Sequence, residues 1–282
     1  MRRSDGRPLK SIRPFMKIIP FIMTRRSDAQ IFAKQIIVMD KIDAYLKEKR
    51  QQEHNINYLH LFIAIYVRVI AERPQLNRFV MSNKLYARNG IYVSMAVKRL
   101  LKDEGEETTV KFSFKGHEDI FEIAKIINST LAESTSANNS SDVDKIAARI
   151  MALPYLIKKV LIGTLKGLDK LNMLPRFIIE ASPFHTTLFF TYLKSIKLDY
   201  IYHHLYDFGT TGLFVSLGKV KKMPVVENNT VVVKDCCEIG YTIDERICDG
   251  LYFANSLKLV KKYLNNPYLL ETKLDKVEAD VE

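Results

Sequence analysis

The stretch Tyr-Thr-Ile-Asp-Glu-Arg-Ile-Cys-Asp-Gly, residues 241–250, is the most informative part of this chain. A run rich in Val, Ile and Cys at residues 230–243 leads into it and predicts a strand. A helical pattern at residues 251–264 follows it and closes the fold. The stretch therefore lies where the last strand ends and the last helix begins, with Glu245 among its charged residues.

At 282 residues the chain can bury one substantial core or two modest ones, and we expect a single domain spanning residues 1–282. A hydrophobic share of 47% and a charged share of 27% are typical of such domains. The three cysteines, Cys236, Cys237 and Cys248, provide no disulfide framework, which favours a reducing, cytoplasmic setting. No run of about 18 apolar residues occurs, so we expect no transmembrane helix.

The formal net charge of +11 favours anionic partners such as acidic lipid or phosphate groups. Nucleic acid is not an expected partner, because the sequence has no recognisable nucleic-acid-binding module. The histidines and cysteines also lack the paired spacing of metal ligands, so no metal site is predicted.

Hydrophobic periodicity predicts an α/β fold, an α+β sandwich in which helices pack on a mixed sheet. Helical patterns cover residues 58–73 and 119–131. Strand patterns at residues 84–87 and 91–97 are separated by Asn89-Gly90, a strong hairpin signal. The charged tail from about residue 273 is expected to be disordered.

Residues 143–175 form a basic amphipathic helical insert. Its apolar side is predicted to contain Leu153, Ile157, Val160, Leu161, Leu168 and Leu171, with Lys158, Lys159, Lys166 and Lys170 largely opposite. Two interpretations remain open. The insert lies on an anionic membrane surface, or it faces the core with a solvated lysine side, which is the commoner arrangement.

The ordered motifs of the chain resemble the catalytic domain of 2-oxoacid dehydrogenase acyltransferases and, more distantly, chloramphenicol acetyltransferase. Residues 241–250 are similar to the S-F-D-H-R-x-x-D-G signature of that family. Further similarities lie at residues 8–13, 72–77, 84–97, 117–125, 188–195 and 218–226, so the resemblance covers roughly residues 8–268. Departures are the 143–175 insert, Lys194 at a glycine position, and Glu245 at the position of the signature histidine.

The resemblance implies a homotrimer with an active-site channel at each subunit interface. It implies acyl-CoA as co-substrate and no tightly bound cofactor, and the chain shows no lipoyl domain. The family's histidine is the general base and a Ser or Thr hydroxyl stabilises the oxyanion. Thr191 is the best match to that hydroxyl and Ser195 the second.

In the family, the aspartate at the position of Asp249 pairs with an arginine that holds the active-site loop. The resemblance thus gives Asp249 a structural role beside the catalytic residues. Arg13, Arg25 and Arg26 are the candidate partners, and the sequence does not choose among them.

Glu245 poses the main chemical question. A thiol ionises near pH 8.5 and a solvated glutamate near pH 4.3, so glutamate is a weak base for a thiol unless an apolar channel raises its pKa. The alternative is a plain substitution in a site no longer used for catalysis. Cys248 occupies an apolar position of the signature and is expected to be buried and inert.

His203 and His204 offer a surrogate base. Residues 203–209 resemble the H-H-x-x-x-D-G motif of condensation domains, but are one residue short. Histidine titrates near neutral pH, which suits proton transfer. The alternative is that both histidines only bond to backbone or to neighbouring subunits.

Two functions follow from these features. The first is an acyltransferase that transfers an acyl group from acyl-CoA to an unknown acceptor, using Glu245 or a residue of the histidine pair. The second is a catalytically inactive trimeric binding or scaffold protein of the same fold, docked on a membrane through the 143–175 insert.

Overall fold

The computed structural model describes residues 3–98, 107–135 and 148–282. The strands are β1 (Gly6–Pro8), β2 (Gln30–Val38), β3 (Arg78–Met81), β4 (Lys84–Arg88), β5 (Ile91–Lys98), β6 (Glu107–Phe114), β7 (Leu188–Tyr192), β8 (Leu213–Glu227) and β9 (Thr230–Asp244). The helices are α1 (Pro14–Ile22), α2 (Asp40–Gln51), α3 (Tyr58–Glu72), α4 (Ile120–Thr135), α5 (Tyr155–Lys170), α6 (Arg176–Ala181) and α7 (Gly250–Asn265).

A mixed sheet of six strands organises the molecule, in the order β2-β9-β8-β7-β5-β6. Neighbouring strands are antiparallel except around β7, which runs parallel to both β5 and β8. Helices α2, α3, α4 and α7 share the main hydrophobic core with this sheet. This arrangement confirms the predicted α/β architecture, a mixed sheet packed with helices.

Helix α3 is the centre of that core and confirms the predicted helix at residues 58–73. Asn57 begins it with a capping box, in which the Asn57 side chain and the His60 side chain each bond to the other's backbone N–H. In α3, 13 of the 15 residues are buried, so the helix is covered on every side rather than on one face.

The predicted hairpin at Asn89-Gly90 is wrong. Strand β4 pairs with β3 and β1 in a separate small sheet, whereas β5 pairs with β6 and β7 in the main sheet. Asn89 connects the two sheets and bonds to the N-terminal segment, its N–H donating to the Asp5 carbonyl at 3.1 Å. The tight turn of the small sheet lies instead at Ser82-Asn83, where both residues have positive φ.

The C-terminal tail, expected to be disordered from about residue 273, is bonded to the body of the protein. Arg78 forms a two-pronged ion pair with Asp280, with N–O distances of 2.6 and 2.7 Å. The Glu278 N–H donates to the Ala71 carbonyl at 2.9 Å. These bonds to the buried Arg78 and Ala71 hold the C-terminal tail on the protein, although its charged composition predicts disorder.

Helix α5 forms the described centre of the 143–175 insert; residues 143–147 lie outside the described part of the chain. The core-facing interpretation is wrong for Ile157, Val160 and Leu171, which are exposed. Val160 keeps 69% of its accessible surface, and the buried residue of α5 is Asp169. In the part of the chain that the structure describes, no helix is both long enough and apolar enough to span a bilayer.

Candidate active site

Three charged side chains form a buried cluster where β9 ends. Asp244 is fully buried, and both of its carboxylate oxygens accept hydrogen bonds from the Arg246 guanidinium, at 2.8 and 2.7 Å. The buried guanidinium of Arg26 lies 3.5 Å from the same carboxylate and donates to backbone carbonyls of Tyr206 and Val80. Burial lowers the pKa of Arg26, partly offset by the charge of Asp244. We call Arg26, Asp244 and Arg246 the Asp244 cluster.

Glu245 stands between the two buried charges of this cluster and is itself exposed. Its backbone N–H donates to the Ala29 carbonyl at 2.8 Å, which ties this part of the chain to the turn before β2. Asp244 and Arg246 hold the backbone on either side through buried bonds. The signature therefore builds a rigid support that projects residue 245 into solvent.

The turn that receives Glu245 also carries the segment with the two histidines. Ser27 donates from its N–H and its hydroxyl to the Asp207 carboxylate, at 3.0 and 3.2 Å. The Leu205 N–H donates to Gln30 Oε1 at 2.8 Å. The structure thus brings Glu245 and residues 203–207 against the same short turn, although they are distant in sequence.

Two glycines allow the chain before the histidines to cross the sheet. A Cβ atom at Gly218 would lie 2.6 Å from the Tyr200 backbone nitrogen, and one at Gly240 would lie 2.6 Å from the Ile201 carbonyl oxygen. These separations are shorter than van der Waals contact, so side chains at either position would displace this segment. Glycine at positions 218 and 240 therefore lets the segment before His203 and His204 lie close against β8 and β9.

The two histidines differ in their surroundings. The ring of His203 stacks on Phe214, with centroids 4.0 Å apart, and its Nδ1 lies 2.9 Å from the His204 carbonyl oxygen. Burial lowers the pKa of His203, which favours the neutral ring. His204 is exposed, with its ring 4.7 Å from that of His203. His204 is therefore the more accessible of the pair.

Thr191 and Glu245 do not meet within one chain. Thr191, on β7, is level with Ser216 of β8, which is level with Gly240 of β9. Asp244 lies four residues beyond Gly240 on β9, roughly 13 Å from it at the usual rise of a strand. Glu245 follows Asp244, so it is at least as far from the level of Thr191. Ser195, the second candidate for the oxyanion hydroxyl, is exposed and donates to the Tyr192 carbonyl at 2.7 Å.

Among the described residues of one chain, no arginine is paired with Asp249, and the role implied for it stays a prediction. Asp249 is the N-cap of α7, where its carboxylate accepts a hydrogen bond from the Tyr252 N–H at 2.7 Å. Among the candidate arginines, Arg26 pairs with Asp244 instead. The physical reason is position, because Asp244 ends the buried strand while Asp249 lies on the exposed first turn of a helix.

The cysteines lie inside the protein. All three are free and buried, and burial raises the pKa of Cys237 and of Cys248 to about 12. A thiol that stays protonated at neutral pH is a poor nucleophile, as expected for Cys248. Within residues 3–98, 107–135 and 148–282, His, Cys, Asp and Glu form no group of three or more that is suited to a metal ion.

A cavity of about 450 Å³ adjoins the Asp244 cluster. Its charged lining consists of four cationic residues and one carboxylate: Arg25, Arg26, Lys170, Arg246 and Asp207. Arg25 and Lys170 are exposed, whereas the other two cations belong to the cluster. We call this space the basic cavity. Its excess of positive charge suits an anionic ligand.

Comparison with known proteins agrees with this geometry. Residues 213–272, which include β9, Glu245 and α7, match the family model described as 2-oxoacid dehydrogenases acyltransferase (catalytic domain). A probable dihydrolipoamide acetyltransferase from Listeria monocytogenes 4b F2365 is 16% identical, with a TM-score of 0.56 over 90% of this chain and 93% of its own. The fold is that of an acyltransferase catalytic core.

Two further solved structures share this acyltransferase-core fold. The dihydrolipoamide acetyltransferase (E2p) of Azotobacter vinelandii is 10% identical, with a TM-score of 0.58 over 93% of each chain. A chloramphenicol acetyltransferase is 11% identical, with a TM-score of 0.56 over 92% of this chain and 99% of its own. A search of curated proteins finds no match.

The sequence indicates Arg26 as a candidate arginine but does not identify Asp244 and Arg246 as its partners at the centre of this candidate site. A signal was present, because Asp244 and Arg246 flank Glu245 and side chains alternate sides in extended chain. If residue 245 projects outward from the end of β9, its two neighbours point inward. Two opposite charges pointing inward at alternate positions, 244 and 246, predict a buried ion pair.

Proposed function

We propose that this chain is a CoA-dependent acyltransferase, which transfers an acyl group from acyl-CoA to an acceptor still to be identified. One observation carries the proposal. The signature that matches the acyltransferase family is built as a rigid support that exposes Glu245, and the next residue, Arg246, lines a cavity of positive charge.

The basic cavity supports CoA as the acyl donor. CoA carries several phosphate negative charges, and guanidinium groups bind phosphate through paired hydrogen bonds. Arg25 and Lys170 are exposed and free to reach a ligand, whereas Arg26 and Arg246 add charge from the buried cluster. We therefore assign Arg25 and Lys170 to the phosphate groups.

Glu245 and His204 are the two candidates for the proton acceptor. The Azotobacter enzyme has been investigated for the catalytic roles of a serine, a histidine and an asparagine, the last two separated by four positions. Glu245 and Asp249 have the same separation here. His204 lies on the neighbouring segment and has an imidazole, which suits proton transfer near neutral pH.

A homotrimer would complete the site. Because Thr191 and Glu245 are far apart in one chain, we assign the oxyanion hydroxyl to a neighbouring subunit. Exposed apolar side chains on β2, Phe32 and Ile36, supply surface for such contacts.

Thiol release from a panel of acyl-CoAs tests the proposal, with Glu245→Ala, Glu245→His and His204→Ala measured beside the wild type. Loss of a positioned general base typically lowers kcat by about 10²–10⁴-fold. We expect that loss in Glu245→Ala or in His204→Ala, and the affected variant identifies the base. Both side chains are exposed, so neither change should disturb folding.

The basic cavity provides the matched control for this assay. Arg25→Ala is expected to raise the KM for acyl-CoA with kcat nearly unchanged, because Arg25 lines the basic cavity. Lys222→Ala is the control: this exposed lysine lies on the β8–β9 hairpin, and its replacement should change neither kcat nor KM. An inactive wild type that gains activity in Glu245→His would mean that catalysis has been lost from an intact fold. Inactivity of every variant would contradict the acyltransferase function.

The second candidate function, a membrane-associated binding or scaffold protein, is favoured by the exposed apolar side of α5. Tyr155 and Leu156 each keep 72% of their accessible surface, beside the exposed Lys159 and Lys166. Helix α1 adds exposed Phe15, Phe21 and Ile22. Apolar side chains next to lysines are the pattern of a helix that lies in the surface of an anionic bilayer.

Vesicle co-sedimentation tests membrane docking. We expect the wild type to bind phosphatidylcholine vesicles that contain phosphatidylserine, and to bind less as salt rises. The double variant Leu156→Asp/Val160→Asp should lose binding, because it places two charges in the apolar side of α5.

The β8–β9 hairpin provides the control, since Val226→Asp/Val231→Asp changes side chains of similar exposure away from α5. This variant should bind vesicles like the wild type. Equal loss in both double variants, or no binding by the wild type at low salt, would contradict docking through α5. A change of oligomeric mass in Leu156→Asp/Val160→Asp would identify its apolar side as a subunit interface instead.

A further inference from the structure

A second cavity, of about 350 Å³, lies between β5, β6 and α6, and its lining shares no residue with the basic cavity. Its lining includes Lys111 and Ser113 of β6, Tyr92 of β5, and the buried Asp5 and His185. Cavities of this size accept small organic molecules. We call it the lysine cavity, because Lys111 is the unusual group in its wall.

The hydrogen bonds of Lys111 fit a neutral amine. Its Nζ donates to the Ile179 carbonyl at 2.9 Å and to the Ser182 carbonyl at 3.1 Å. An ammonium group has three N–H donors, whereas a neutral amine has two donors and one lone pair. Two carbonyl acceptors therefore satisfy the neutral form and leave its lone pair free.

The burial of Lys111 outweighs the mixed charges around it and favours the same form. No carboxylate of the described residues lies within 4 Å of its Nζ, whereas the buried Lys49 has Glu271 at 2.8 Å. Burial, followed by the positive charge of Arg88, lowers the pKa of Lys111 to about 7. The charged and titratable groups around it are Asp5, Arg88, Tyr92, Arg176, Glu180 and His185.

We propose that Lys111 is a reactive amine that forms an imine with a small aldehyde or ketone admitted to the lysine cavity. The amine nitrogen bonds to the carbonyl carbon and gives a carbinolamine. The C–O bond then breaks, and the oxygen leaves as water with the two protons of the amine. The step needs neither an oxidant nor a reductant. The neutral imine then takes up one proton from solvent, and the resulting N–H can donate to the carbonyl of Ile179 or Ser182.

Reductive trapping tests the proposal on the unmodified wild-type protein. Acetaldehyde and cyanoborohydride are added at pH 7, and N-ethyl groups are located by peptide mass spectrometry. Because an ordinary lysine is less than about 0.1% neutral at this pH, we expect Lys111 to react at least about 10-fold faster than the exposed Lys115. The rate at Lys111 should rise between pH 6 and pH 8, while the buried, ion-paired Lys49 stays unlabelled.

The variant Ser113→Phe tests whether the cavity is the route to the amine, because Ser113 is an exposed lining residue on the same strand. It should slow labelling of Lys111 by about 10-fold or more and leave Lys115 unchanged. Equal rates at Lys111 and Lys115 in the wild type, or a rate at Lys111 that rises only above pH 9, would overturn the proposal. Unchanged labelling of Lys111 in Ser113→Phe would overturn the role of the cavity.

Discussion

Replacing Asp244 with alanine is expected to lower the free energy of unfolding by about 3–5 kcal/mol, the usual cost of removing one partner from a buried ion pair. The change leaves the guanidinium groups of Arg26 and Arg246 buried without their carboxylate. It also frees the backbone that supports Glu245. Because the chain has no tryptophan, urea unfolding followed by far-UV circular dichroism is the suitable measurement.

Glu245→Ala is the matched control, since it removes a carboxylate one residue away but from an exposed position. It should leave the free energy of unfolding nearly unchanged while it affects acyl transfer. Both variants must be compared at the same protein concentration, because assembly contributes to apparent stability. Equal stability of Asp244→Ala and wild type would mean that the Asp244 cluster does not hold the site.

The architecture was predictable because the local spacing of apolar residues indicates most of its helices and strands. The helix at residues 58–73 and the strand-to-helix junction around residue 245 follow from apolar spacing. The order of the motifs along the chain indicated the acyltransferase fold, and the comparisons with solved acyltransferases support that fold. Strand pairing is different, because it depends on partners distant in sequence.

Asn89-Gly90 shows this limit of local signals. The dipeptide marks a change of direction, but whether the flanking strands pair is decided by the sheets that they join. Strand β5 finds partners in β6 and β7, so the residues around Gly90 become a connection between sheets. Ser82-Asn83 closes a hairpin without any glycine.

The candidate site was predictable in its outline but not in its contacts. The signature indicates Glu245, yet the sequence does not show that Asp244 ends a buried strand and pairs with two arginines. The meeting of Glu245 with residues 203–207 depends on a turn more than 170 positions away from either of them in the chain. Only the folded arrangement brings these segments together.

Asp169 is the buried attachment point of α5, and its replacement by alanine is expected to detach that helix. Its carboxylate lies 2.9 Å from the Arg3 guanidinium and 3.1 Å from Nε2 of His185. Removing it takes away one of the two carboxylates that pair with Arg3, which keeps Asp5, and this loss costs about 1–3 kcal/mol. Trypsin should then cleave α5 sooner at the exposed Lys159 and Lys166.

The pH dependence separates this ionic attachment from simple packing. Burial alone would raise the pKa of Asp169, but its hydrogen bond with His185 and the charge of Arg3 outweigh burial and lower the pKa. A carboxyl group with a lowered pKa stabilises the folded state fully above its unfolded value of about 3.9, and this contribution is lost as pH falls toward the folded value. The stability difference between wild type and Asp169→Ala should therefore be present near pH 7 and narrow below about pH 4. Asp40→Ala, which removes an exposed pair with Lys234, should show little difference at any pH. A gap between wild type and Asp169→Ala that stays constant down to pH 3 would show that Asp169 acts through shape alone.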